Sequence, residues 1–109
     1  MPHESDPPAG GGVELLHRPS QPVSVRFRGE VGAAWAPTAQ HRLVEALLDH
    51  RPAPIVIDLR GVTRLDPGVV GAILATIDSA ADLGVPVEVL LGVADPTGGL
   101  LRAPGIDAC

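Results

Sequence analysis

IVIDLRGVTRLDPGVVGAIL, residues 55–74, sets the architecture because it joins two patterns of different period. Ile55 to Leu59 is short, β-branched and bounded by Pro54 and Gly61, the pattern of a strand buried on both faces. Asp66-Pro67 then pairs an acidic cap residue with the one imino acid tolerated in a first helical turn, so a helix begins there. Val69, Val70, Ile73, Leu74 and Ile77 recur at spacings of three and four and form one apolar face. Burying five such side chains contributes about 8–15 kcal/mol before opposing terms, which assigns that face to the core. Gly84 and Pro86 stop the helix.

Working outward, VSVRFRG upstream alternates Val23, Val25 and Phe27 with Ser24, Arg26 and Arg28, the period of a strand with one buried face. From Ala33 to His50 the period lengthens. Ala39, Leu43, Ala46, Leu47 and His50 fall three and four apart, and Pro37 suits a first turn, so a helix is expected from about residue 37 to 50. Downstream, VEVLL supplies another strand, and Asp95-Pro96 caps a short helix toward Arg102 that Gly98 and Gly99 weaken. Val13, Leu15 and Leu16 suit a short edge strand. The order is βαβαβα after one or two leading strands, an α/β sheet. Residues 1–12, with three prolines and a triple glycine, are expected to be a flexible tail, and 13–109 a single domain.

Composition narrows the function classes. The 109 residues suit one domain, and a 45% hydrophobic content with only Phe27 and Trp35 as aromatics implies an aliphatic core. Thirteen acids against eight bases give a net charge of −5, and the arginines are scattered singly, so no basic stripe exists for nucleic acid. Every basic residue is Arg, a usage typical of GC-rich bacterial coding. The one cysteine, Cys109, permits no internal disulfide and no paired-thiolate metal site, which fits a reducing cytoplasm. The longest uncharged run of the domain, Pro67 to Ile77, is far below the roughly 18 residues of a membrane span, and the first residues have no signal-peptide pattern, so no membrane insertion is expected.

Catalytic constellations are sparse. No glycine-rich phosphate loop with a following Lys is present, and no nucleophile stands beside a base. His41 and Glu45, at i,i+4, have the spacing of two metal ligands, but a plain surface pair is the stronger reading. Asp58 and Asp66 deserve weighing as a general acid/base pair, since apolar neighbours could raise a carboxyl pKa. Backbone roles account for them better: Asp66 as a helix cap and Asp58 as an acceptor for neighbouring backbone at a strand end. No cofactor and no catalysis are expected.

The quoted stretch resembles the central signature of STAS domains, the anti-sigma-factor-antagonist family, in which a strand ending in Asp-Leu leads through a Gly-Val-Thr turn to Asp, Ser, a second hydroxyl residue, a glycine and an apolar helix. VRFRGEVGAAWAPTAQHRLVEAL resembles the family's second strand, its Gly-Glu-Leu-Asp turn and first helix, while GVPVEVLLGVA and PGID resemble its later strand and its end. The likeness spans residues 13–107. It implies a small mixed sheet with helices mainly on one face, and a cytoplasmic regulatory domain that binds protein. In the family a partner kinase phosphorylates the hydroxyl residue at the start of the second helix, and the phosphate disrupts binding. Here that position is Gly68, its neighbour is Pro67, and Val69 stands where a glycine is usual. The acidic turn reads Gly29, Glu30, Val31, Gly32, so the acid at its end is missing, and of the family's acidic pair Asp66 remains. Thr63 matches a turn position.

The resemblance therefore implies an anti-sigma-factor antagonist, acting in transcription regulation, that has lost its phosphorylation switch. Its partner would be a kinase-like anti-sigma factor, docked on Arg64, Asp66, Pro67, Gly68 and Val69. A second implied role is an accessory subunit of a lipid-handling ABC transporter or of a larger sensory assembly.

Overall fold

Alternation along VSVRFRGEV makes β2 (Val23–Val31), whose Val23, Val25, Phe27 and Val31 are buried while Arg26, Arg28 and Glu30 face water. The computed structural model describes residues 11–92. The short helix expected after Asp95, the closing PGID, Cys109 and residues 1–10 lie outside the described residues. β1 (Gly11–Leu16) pairs antiparallel with β2, matching Val13 to Phe27 and Leu15 to Val25. It starts two residues before Val13, so Gly11 and Gly12 belong to the sheet and not to the tail assigned to 1–12. The reason is steric. A Cβ on Gly11 would lie 2.8 Å from the Trp35 indole nitrogen and against the Glu30 carbonyl, so only glycine lets this edge close on β2.

After β2 a 3₁₀ turn, Ala33–Trp35, carries the chain into α1 (Ala36–Asp49), with Pro37 in its first turn as expected. β3 (Ile55–Leu65) lies parallel to β2, and β4 (Val87–Leu90) lies parallel to β3, giving the order β1-β2-β3-β4. Leu15, Val25, Ile57 and Val89 form one row across all four strands on the helix-covered face. Between β3 and β4 runs α2 (Pro67–Leu83), closed by left-handed Gly84, whose N–H bonds Ala80 and Ala81 carbonyls, while Val85 N–H bonds the Ala80 carbonyl. The two helices pack on one another and share a single core with that face of the sheet. The opposite face, with Glu14, Arg26, Asp58 and Arg60, is polar.

Three expectations are corrected. IVIDL is only the first half of β3. Eleven residues of β3 run beside nine of β2, from Val23↔Ile55 to Val31↔Leu65, with register shifts on the way. The Gly-Val-Thr segment is therefore bulged strand and not a turn, and the Gly-Glu segment from Gly29 likewise stays in β2. Gly29 sits at φ 71°, a left-handed conformation at the second irregularity that a side chain would resist. In α2 the buried stripe is Val69, Val70, Ile73, Thr76 and Ala80, whereas Leu74 and Ile77 are only partly buried. Thr76 is accepted there because its hydroxyl donates to the Ala72 carbonyl at 2.9 Å.

The expected consequence separates two isoleucines of equal size. Ile73→Ala, at a fully buried site, should cost about 2–5 kcal/mol in denaturant titration, and Ile77→Ala measurably less. Equal costs would mean that the helix phase is wrong.

Candidate functional site

Parallel pairing brings the ends of β2 and β3 to the same edge, where Val31 faces Leu65 and the Asp66 N–H donates to the Val31 carbonyl at 2.9 Å. Asp66 itself is extended, at φ −65° and ψ 142°, the geometry of a helix cap. Its Oδ2 accepts from Gly68 N–H at 2.8 Å, and its carbonyl accepts from Val69 and Val70 N–H at 2.9 and 3.0 Å. The capping role read from the sequence is the one the structure contains. Pro67 fills the first helical position, where the absent N–H has no partner to lose.

Around this cap the structure gathers most of the residues singled out in the sequence. Glu30 and Arg64 are register partners at the strand ends, and their side chains approach to 3.6 Å while largely exposed. An exposed pair of this kind contributes little stability, so both groups are available to a partner at little cost. Arg64, Pro67 and Gly68 are exposed. Val69 is the exception: it is fully buried and supports the helix start from beneath, so it offers no surface to a partner. Gly32 caps the 3₁₀ turn, its carbonyl accepting from Trp35 N–H at 3.0 Å.

The two glycines at family-signature positions differ in a way that spacing alone does not reveal. A Cβ on Gly32 would meet nothing within 4 Å, so no steric reason demands glycine there. A Cβ on Gly68 would stand 2.9 Å from Asp66 Oδ2, the oxygen that makes the cap bond. Glycine at 68 thus removes the hydroxyl and also leaves room for the capping carboxylate.

Sequence reading passed over Trp35. It is 5% exposed, anchors the turn between β2 and α1 against Gly11, and its indole N–H has no acceptor among the described residues. A lone Trp in an aliphatic chain is the signal that could have marked it as an anchor.

Asp58 lies far from this edge. Eight residues of mostly extended chain put it on the order of 20 Å from Asp66, so the two carboxylates do not form an acid/base pair. Asp58 instead completes the first bulge of β3: Oδ1 accepts from the Arg60 N–H at 3.0 Å, and the guanidinium grips both oxygens at 3.1 and 3.0 Å. The Arg60 hydrogen bonds hold its carboxyl below the usual carboxylate range against the opposing effect of burial, and Arg26 beside it adds to the lowering. His41 and Glu45 approach to 3.9 Å, but Arg42 reaches the same carboxylate oxygen at 3.1 Å, and among the described residues no three His, Cys, Asp or Glu side chains come together. No described helix is long and apolar enough to cross a membrane.

These features define a small α/β domain whose distinctive surface is an exposed helix start at the carboxyl ends of two parallel strands. A family model described as "Mlab, STAS domain" matches residues 15–108, and the chain belongs to the STAS domain family. The fold is similar to that of the anti-sigma factor antagonist SpoIIAA in its unphosphorylated form, at 15% identity and TM-score 0.63 over 72% of each chain. It is also similar to the phosphorylated form of SpoIIAA, the Bacillus cell fate determinant, at 15% identity and TM-score 0.72 over 87% of this chain and 85% of that one. No curated protein matches the sequence.

Two outcomes test these assignments. Because the folded Asp58 has a lowered pKa, the folded state binds fewer protons than the unfolded state as acid is added, and stability is lost as pH falls. The advantage of the wild type over Asp58→Asn in thermal melts should be complete above about pH 5 and shrink below about pH 4, where unfolded carboxyls titrate. A difference that stays constant down to pH 2 would remove the assigned role. For the cap, Asp66→Ala should cost about 1 kcal/mol. Gly68→Ala should be more harmful with Asp66 present than in the Asp66→Ala background, where better helix propensity should make it stabilising. Strict additivity in that double-mutant cycle would show that the close approach has no energetic meaning.

Proposed function

We propose that this chain is a non-catalytic regulatory domain resembling an anti-sigma-factor antagonist, which binds a protein partner in the bacterial cytoplasm and is not switched by phosphorylation at the usual family position. The observation that carries this reading is the composition of the α2 start: Pro67 and Gly68 are exposed, neither has a hydroxyl, and the space beside Gly68 is taken by the capping carboxylate of Asp66. A phosphoryl group would bring about −1.5 to −2 charges to this edge. Without one, the surface presented by Glu30, Arg64, Pro67 and Gly68 keeps one charge state, and binding is constitutive. The partner best suited to the resemblance is a kinase-like anti-sigma factor. The same missing hydroxyls also suit a permanently held accessory subunit of a lipid-handling ABC transporter or of a sensory assembly, because a subunit that is never released needs no release switch.

Incubation with ATP and the kinase-like partner, followed by intact mass and affinity measurement, tests the reading. The wild type should gain no phosphate and keep its affinity, and Arg64→Glu should weaken binding by reversing an exposed charge in the docking surface. Stoichiometric phosphorylation at Thr63, an exposed residue without a register partner in the second bulge of β3, together with loss of binding, would mean that the switch has moved.

A further inference from the structure

The large apolar side chains left exposed among the described residues are Leu16, Val44, Leu48 and Leu83, at 37, 42, 55 and 44%. Three of the four converge. Val44 and Leu48, one turn apart on α1, and Leu83 at the end of α2 line a groove of about 400 Å³ with Leu47, Ser79 and Asp82. Clustering of this kind marks an interaction surface more often than scattered single residues do.

The charges around the groove indicate its occupant. Asp82 lines the groove from the last turn of α2, and that turn contains no basic residue. Helix carboxyl ends already carry partial negative charge, so carboxylates there are unfavourable. Asp78 adds to the burden from i−4 of Asp82, a like-charge spacing that destabilises a helix. No residue of α2 is basic, Arg42 on α1 is held by Glu45 at 3.1 Å, and Arg51 lies exposed beyond the helix end. Apolar residues thus meet an electronegative rim whose cost a cationic partner would relieve.

We propose that this groove docks a basic amphipathic helix of a partner protein, its apolar side chains at i, i+3 and i+4 on Val44, Leu48 and Leu83, and its Lys or Arg residues over Asp78 and Asp82. A second copy of the chain would set the same carboxylates against each other, so self-association is not the occupant. The groove lies toward the far end of the seventeen-residue α2 from Gly68, about 16–22 Å away along the helix axis. The domain can therefore hold one partner at the helix start and a second at the helix end, and this surface stands independently of the function proposed above.

The test uses a fluorescent Leu/Lys peptide patterned as an amphipathic helix, with two controls: a Leu/Glu peptide of the same apolar pattern and a Leu/Lys peptide of the same composition scrambled out of helical period. Affinity is read by anisotropy, and the site by methyl chemical shifts. The patterned Leu/Lys peptide should bind and shift Val44, Leu48 and Leu83. Leu48→Ser should weaken it on the order of tenfold. Asp78→Asn with Asp82→Asn should weaken it by several-fold at low salt, a loss that shrinks as salt rises. All three positions are exposed, so Leu48→Ser should melt near the wild type and the double Asn variant at or slightly above it, which confirms folding. The proposal fails if any of these results is seen: equal binding of the scrambled or Leu/Glu peptide, no binding, shifts confined to residues 64–68, or dimerisation of the wild type that Leu48→Ser abolishes.

Discussion

The parallel pairing of β2 with β3 is the constraint on which the rest of the domain depends. It starts with Val23 beside Ile55 and ends with Val31 beside Leu65, and β3 spends eleven residues on a ladder that β2 completes in nine. Extra residues in one strand leave backbone groups without ladder partners and bend the strand. Asp58 answers the first bulge by accepting the Arg60 N–H, and Gly29 answers the second with a left-handed backbone. Because both irregularities are accommodated locally, the two strands finish level, and Asp66 N–H reaches the Val31 carbonyl.

That level finish makes the candidate surface. Asp66 is at once the last link to β2 through its N–H and the cap of α2 through its side chain. A residue tied at both ends positions the helix start rigidly, so Pro67 and Gly68 are presented to solvent in one geometry. Beneath them Val69 and Val70 are packed in the core, which couples the surface to the fold and explains why the exposed segment is short. Trp35 does the same for the neighbouring turn, its buried indole N–H having no acceptor among the described residues.

Electrostatically the two ends of α2 are opposite. At its start a carboxylate caps the helix where the dipole favours an anion, whereas at its end Asp82 stands where the dipole opposes one. The first arrangement stabilises the domain on its own. The second is unfavourable until something positive approaches, and three of the most exposed apolar side chains of the described chain lie beside it.

Much of the fold was legible in the sequence for identifiable reasons. The period of two in Val23, Val25 and Phe27, the spacing of Ala39, Leu43, Ala46 and Leu47, and the Asp66-Pro67 and Gly84 helix signals are local, and local chemistry alone sufficed to place β2, α1 and α2. The family signature added the sheet and the region of the site. What depended on distant residues was hidden. The family signature made Gly-Val-Thr a turn, and no alternation spoke against it because bulges break the pattern by which a strand is recognised; only the neighbouring β2 holds those residues extended. Gly11 looked like tail because a glycine run carries no pattern, and it becomes strand only where the Glu30 carbonyl and Trp35 leave no room for a side chain. Thr76 was passed over for Ile77 because hydrophobicity is visible in the sequence, whereas the carbonyl that satisfies a buried hydroxyl, and the direction of the core, are not. The sequence by itself determined that position 68 has no hydroxyl to modify. Only the tertiary structure decided that the space where its side chain would begin belongs to the Asp66 carboxylate, because that contact depends on where the cap places its oxygen and not on the order of residues.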